Sequence, residues 1–173
     1  MHFSYNLYGD ITAIHDGVPV PPPNLKGGPT DRTFGYDDLH QLTSATGSYA
    51  FSPTKQRRYT MALTYDSIAN ITRKTQTDVI SQSSGQNVTQ KPTTYDFQYA
   101  YARPQPHAPS RIGALDYNFD ADGNDAGFAD TNSGQRRTIV WNEEDRMSSL
   151  ADNGETTRFF YDGDGNRTHK QRK

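Results

Sequence analysis

FFYDGDGNRTHK, residues 159–170, reads either as a cation loop or as strand, turn and strand, and the fold follows from which it is. Asp162, Asp164 and Asn166 alternate as the oxygen ligands of a calcium loop do. Asp and Gly in this order also close the tightest turns. Five relatives elsewhere in the chain decide between the two: FSYNLYGDI (3–11), FGYDDLHQL (34–42), LTYDSIANI (63–71), YNFDADGND (117–125) and IVWNEEDRM (139–147). Each opens on an apolar or aromatic residue and has an aromatic two positions on: Tyr5, Tyr36, Tyr65, Phe119 and Trp141, with Tyr161 in the sixth copy. The next residue is always Asp or Asn, namely Asn6, Asp37, Asp66, Asp120, Asn142 and Asp162. Three further on stands Gly9, Ala69, Gly123 or Gly165, with His40 and Asp145 in the other two copies. An apolar residue then returns at Ile11, Leu42, Ile71 and Met147, and Asp125 and Arg167 break that rule. A general calcium code would need paired acids in every copy, and LTYDSIANI has one.

The unit therefore reads as strand, turn, strand. Residues two apart share one face of a strand. The Asp or Asn side chain can accept from backbone N–H groups just ahead of it, and Gly supplies the positive φ that closes the turn. Longer alternations agree: Tyr59, Met61, Leu63 and Tyr65 share a face, as do Tyr95, Phe97, Tyr99 and Tyr101. No helical periodicity of comparable length occurs, so the expected fold is all-β and antiparallel. The repeat aromatics lie 31, 29, 54, 22 and 20 residues apart, which is too uneven for a strict solenoid. Rim loops are expected at 17–31, 81–92, 102–110 and 125–135, all rich in Pro, Gly, Ser or Asn. None of them reads as an interdomain linker, so residues 1–173 are taken as a single repeat region.

Composition supports a wet sheet over an oily core. Only 27 of 173 residues are Leu, Ile, Val or Phe, while the net charge is −2 and there are 11 Tyr. Low charge and many aromatics argue against disorder, and Tyr and Thr suit a half-wet pleated face. A modest core is expected at this length. The paired arginines Arg57-Arg58 and Arg136-Arg137 read as strand-edge charges.

Several chemistries are excluded or disfavoured. Without cysteine there is no disulfide, thiolate nucleophile or Cys-based zinc site. MHFSYNLYGD lacks the basic and apolar regions of a signal peptide, no membrane span is seen, and balanced charge offers no face for nucleic acid. The five histidines show neither H-x-x-x-H nor H-E-x-x-H spacing, and His107 reads as a loop histidine packed on tyrosines. Glu143, Glu144 and Glu155 are the only glutamates, all in polar surroundings, so a paired-carboxylate glycosidase is not indicated. Asn118, Asp120 and Asp122 before Gly123 match the first positions of a calcium loop, but its twelfth would be Ala129 where a bidentate Glu is needed. No cofactor, metal or catalytic residue is assigned.

The repeated Tyr-Asp units, with PHAPSRI at 106–112 and WNEEDRMSSLADNGETTRFFYDGDGNR at 141–167, resemble the Rhs or YD-repeat proteins of bacteria over nearly the whole chain. The resemblance implies a curved, twisted sheet that forms part of a hollow β-shell enclosing a toxic C-terminal segment, as in Tc and polymorphic toxins and, more distantly, teneurins. It implies a structural role in a secreted or cell-surface protein, with no catalysis, and partners in the rest of the shell and its cargo. The chain reads as a fragment of a much larger protein, whose raw sheet edges would self-associate. The other function class is a glycan-binding or adhesive module, because aromatic β surfaces with Asn, Asp and Arg nearby stack on sugar rings.

Overall fold

The computed structural model describes residues 1–22, 25 and 27–173. The chain is all-β and antiparallel, as expected, and falls into two compact units, Met1–Phe97 and Gln98–Lys173. In the first, β1 (His2–Tyr5), β2 (Ile11–Asp16), β3 (Thr30–Tyr36), β4 (Leu42–Ser52), β5 (Lys55–Tyr65) and β6 (Ile71–Gln82) lie side by side in chain order. Short β7 (Asn87–Thr89) also pairs with β6, and a 3-10 turn at Lys91–Thr93 leads into β8 (Tyr95–Ala100), which carries the chain into the second unit. There β9 (Arg111–Ile112), β10 (Leu115–Phe119), β11 (Asp125–Asp130), β12 (Arg136–Trp141), β13 (Met147–Asp152), β14 (Glu155–Tyr161) and β15 (Arg167–Arg172) again follow chain order.

Each of the six repeat turns joins two neighbouring strands, and each distorts the ladder at the same place. The register slips at Tyr5, Tyr36, Tyr65, Phe119, Trp141 and Tyr161, so that each aromatic pairs with the residue six positions on: Ile11, Leu42, Ile71, Asp125, Met147 and Arg167. Such a bulge adds twist and re-aims a side chain.

The alternation along β5 holds: Tyr59, Met61 and Tyr65 are half-buried and Leu63 buried, whereas Arg58, Thr60, Ala62 and Thr64 face solvent. The core among the described residues is smaller than the modest one expected. Among the described residues the buried apolar side chains are Ala45, at 3% exposure, and Leu63, at 8%, and no large side chain is fully buried. Each unit is thus one layer of sheet rather than the two packed layers of an ordinary domain. Cross-strand contacts replace depth. Gly47 stands opposite Tyr59 beneath its ring, where an added Cβ would lie 2.2 Å from a ring carbon. Trp141 is half-buried.

Three of the four expected loops contain strand. In 125–135, residues Asp125–Asp130 form β11. Gly127 misled because it looks like a loop residue; at φ 112° it is a point of close approach, where a Cβ would lie 2.0 Å from the Arg137 carbonyl oxygen. The stretch 81–92 holds the end of β6, β7 and the start of the 3-10 turn. Residues 102–110 have no strand, and in 17–31 the sheet resumes at Thr30, with residues 23, 24 and 26 outside the described set.

Candidate functional site

The six turns share one construction. The Asp or Asn backbone N–H donates to the carbonyl four residues on, at 2.9–3.0 Å, from Asn6 to Asp10 through Asp162 to Asn166. The N–H three residues on returns to the Asp or Asn carbonyl, at 3.1–3.3 Å. One side-chain oxygen then accepts the N–H groups two and four positions ahead, as when Asp66 Oδ1 takes those of Ile68 at 3.0 Å and Asn70 at 2.9 Å. The same pair closes on Asn6, Asp37, Asp120, Asn142 and Asp162. All six residues at the third position are left-handed: Gly9, Gly123 and Gly165 as expected, and also His40 (φ 60°), Ala69 (φ 67°) and Asp145 (φ 55°). In the sequence His40 and Asp145 stand apart from the small or turn-forming residues of this column, whereas the backbone treats them as equals.

A fourth column went unread. The residue after the left-handed one sends its side-chain amide to the acid in Gln41–Asp37, Asn70–Asp66, Asn124–Asp120 and Asn166–Asp162, at 3.0–3.4 Å, and Asn6 to Asp10 reverses the direction at 2.8 Å. Its signal was present as an amide or acid in five of six copies.

Successive turns also touch. His40 Nδ1 lies 2.8 Å from Asp10 Oδ2, and Asn124 Nδ2 donates to Asp145 Oδ1 at 2.7 Å. A Cβ on Gly165 would lie 2.2 Å from an Arg146 guanidinium nitrogen. In each case the third position of one turn meets the fourth of the turn before. Polar tips of the aromatics complete the stack: Tyr36 Oη donates to the Ile11 carbonyl (2.9 Å), Tyr65 Oη to Leu42 (2.7 Å), Trp141 Nε1 to Asp125 (2.8 Å) and Tyr161 Oη to Met147 (2.9 Å). The structure thus links sequence-assigned aromatics and turn residues of neighbouring repeats within each unit. It leaves Tyr5 with an exposed ring, and Phe119 has no polar tip to offer.

Electrostatics follow the hydrogen bonds. The Asp162 carboxyl is held below the ordinary aspartate value of 3.8 by the backbone N–H of Asn166, against a small cost of burial. At Asp120 burial pushes upward, but the Asn124, Asp122 and Gly123 donors outweigh it. Hydrogen bonds from His40 and then Asn6 lower Asp10.

Two of the three side chains of the possible cation loop already have partners: Asp120 serves its own turn, and Asn118 Oδ1 accepts from Arg103 at 2.8 Å, which places a guanidinium on one of the candidate ligands. Among the described residues no three His, Asp or Glu side chains come together as metal ligands. None of the helices there is long and apolar enough to cross a membrane.

Arg57 and Arg137 are not the strand-edge charges expected of them. Arg57 on β5 grips Asp78 of β6 with Nε at 2.9 and 3.0 Å and Nη2 at 2.5 Å, and Nη2 also reaches Thr93 Oγ1 at 3.2 Å. Asp78 is 3% exposed, and this guanidinium is the main cause of its lowered pKa. Arg137 donates to Asp152 on β13 at 2.6 Å. Tyr95 and Phe97 stack face to face at 4.7 Å and 3°, and Tyr95, Tyr99 and Tyr101 are half-buried. No protein-family model and no curated protein sequence matches the chain.

Proposed function

We propose that this chain is a wall segment of the Rhs type, which helps to enclose and deliver a toxic polypeptide as part of a larger secreted or cell-surface protein and catalyses nothing itself. The observation that carries the reading is the recurring pin from each aromatic tip to the backbone of the repeat before. It supports a wall because it stabilises one layer of sheet by links along the layer, where a folded enzyme relies on depth. A layer with no thick core has two faces to offer, one to solvent and one to an enclosed chain, and the many Tyr, Thr and Arg side chains tolerate a wet interior.

The test uses the whole polypeptide whose reading frame contains this chain, digested with a non-specific protease and imaged in parallel. The expected result is a hollow particle whose interior segment resists cleavage until denaturant opens the wall. A solid particle, a segment cleaved as fast as an unfolded peptide, or a frame with no segment to enclose overturns the reading.

One observation favours the glycan-binding alternative. Tyr8, 80% exposed, stands beside an open hollow of about 420 Å³ lined also by Asp10, Asp37, Asp38 and His40. A ring for stacking on sugar C–H groups and carboxylates for hydroxyls is the right chemistry. Tyrosine fluorescence unmoved across a panel of mono- and oligosaccharides would retire it.

A further inference from the structure

One face of the first unit carries a hollow that the repeat turns do not use. Cross-strand pairing sets Arg32 of β3, Gly47 of β4, Tyr59 of β5 and Asp78 of β6 in one row. Thr30, Tyr49 and Arg57 form the next row on the same face. The Tyr59 ring lies over Gly47, which has no side chain to push it upright. With Tyr49 it walls a hollow of about 490 Å³, which Arg32 and Arg57 also line. The Tyr49 ring is held at its far end, where Oη donates to the Gly27 carbonyl at 3.0 Å and accepts the Gly27 N–H at 3.2 Å.

The charge of this hollow does not balance. Asp78, 3% exposed, is taken up by Arg57, so that pair is neutral. Arg32 is exposed and has no hydrogen-bond or ion-pair partner among the described residues. Asp16, opposite Thr30 on the same face, makes no ion pair with it, and Asp31 alternates to the other face, where it bonds His15. One positive charge is therefore left over. Arg57 adds its Nη1 N–H groups, Tyr59 its Oη and Thr30 its Oγ1, all without a partner among the described residues.

We propose that this hollow binds a sugar acid of the uronate class, with the carboxylate on Arg32 and the sugar ring against the tyrosines. A guanidinium offers paired N–H groups that match a carboxylate. An aromatic ring gives sugar C–H groups an apolar surface, and a few free donors and acceptors fix the orientation of a ligand in such a pocket. Asp78 has a positioning role. It holds Arg57 in place and cancels its charge, so the site calls for one negative charge on the ligand and disfavours the nearly double charge of a phosphate. The proposal goes beyond the wall reading, and its hollow is not the one beside Tyr8.

The test titrates the full chain with D-glucuronate, D-galacturonate, glucose and inorganic phosphate, followed by tyrosine fluorescence and by ligand-observed NMR. Expected is saturable, millimolar binding of at least one uronate, with glucose and phosphate about tenfold weaker or worse. Arg32→Gln should weaken uronate binding about tenfold, the loss of one charged hydrogen-bonded contact. Its melting temperature should match the parent's, because Arg32 has no partner to lose. Tyr8→Ala should bind as the parent does. No saturation by either uronate, glucose or phosphate binding as well as the uronates, full binding in Arg32→Gln, or loss of binding in Tyr8→Ala overturns the proposal. Because protease protection of an enclosed segment is read separately, either idea can fail while the other stands.

Discussion

The Tyr65 hydroxyl donates to the Leu42 carbonyl at 2.7 Å, across the seam between the second and third repeats. Burial raises the Tyr65 pKa above its ordinary 10.0, so the ring remains a neutral donor at any physiological pH. Tyr65→Phe keeps the ring and removes the bond. It is expected to destabilise the first unit by about 1 kcal/mol, read as a lower urea midpoint at unchanged slope. A midpoint equal to the parent's shows that the aromatic acts by packing alone.

The left-handed column makes a prediction with opposite signs at equivalent sites. Gly123 (φ 92°) and Ala69 (φ 67°) both hold the third turn position, and a Cβ on Gly123 would meet nothing within 4 Å. Sterics beyond the backbone are therefore absent from the comparison. Gly123→Ala is expected to cost about 1 kcal/mol and Ala69→Gly to add about 0.5–1 kcal/mol. Thermal melts shifting in the same direction for both variants would count against a backbone origin.

These two sites mark what the sequence made legible. The aromatic, the Asp or Asn and the turn-closing residue stand at fixed spacing within a repeat, because local hydrogen bonding dictates them. The pins between repeats were not legible: Tyr36 reaches back 25 residues to Ile11, and Tyr161 only 14 to Met147. The connecting strands and loops vary in length, so no constant offset points to the partner. Arg57 was misread for a related reason. Asp78 is 21 residues away, and only the register of β5 on β6 brings the two together. A modest core is expected from the length, but composition alone does not say that among the described residues only Ala45 and Leu63 are buried apolar side chains.

Acid should loosen the turns. Asp162, Asp120 and Asp10 all have pKa values below the ordinary 3.8 in the folded chain. A depressed carboxyl contributes stability that is fully present above its unfolded pKa and is lost as pH falls through the folded one. Stability is therefore expected to hold down to about pH 4 and then to fall steadily at lower pH. Asp162→Asn keeps the acceptor oxygen for the Asp164 and Asn166 N–H groups. It should be slightly less stable than the parent at neutral pH and flatter in acid. Denaturant midpoints at stepped pH values check this, and parallel acid profiles for the two proteins would show that the turn carboxylates are not the titrating groups.

The Arg57–Asp78 pair predicts a pH response of the reverse kind. Asp78 is nearly sealed from water, while the guanidinium that lowers its pKa stays partly open to solvent. Removing the cation in Arg57→Ala leaves a carboxylate with Thr94 still bonded to its backbone but no charge partner. Breaking a buried pair from one side costs about 3–5 kcal/mol, and the exposure of Arg57 reduces this to about 2 kcal/mol. Without the guanidinium, burial dominates and Asp78 titrates above its ordinary value, so protonation relieves the variant as the solution becomes acidic. The stability gap between parent and Arg57→Ala should thus be widest at neutral pH and narrow as pH falls towards 4. Asp78→Asn combined with Arg57→Ala should recover part of the loss at neutral pH, since an amide needs no counter-charge. A gap that stays constant from pH 7 to pH 4, with no recovery in the double variant, would mean that Arg57 acts through the packing of its aliphatic stem.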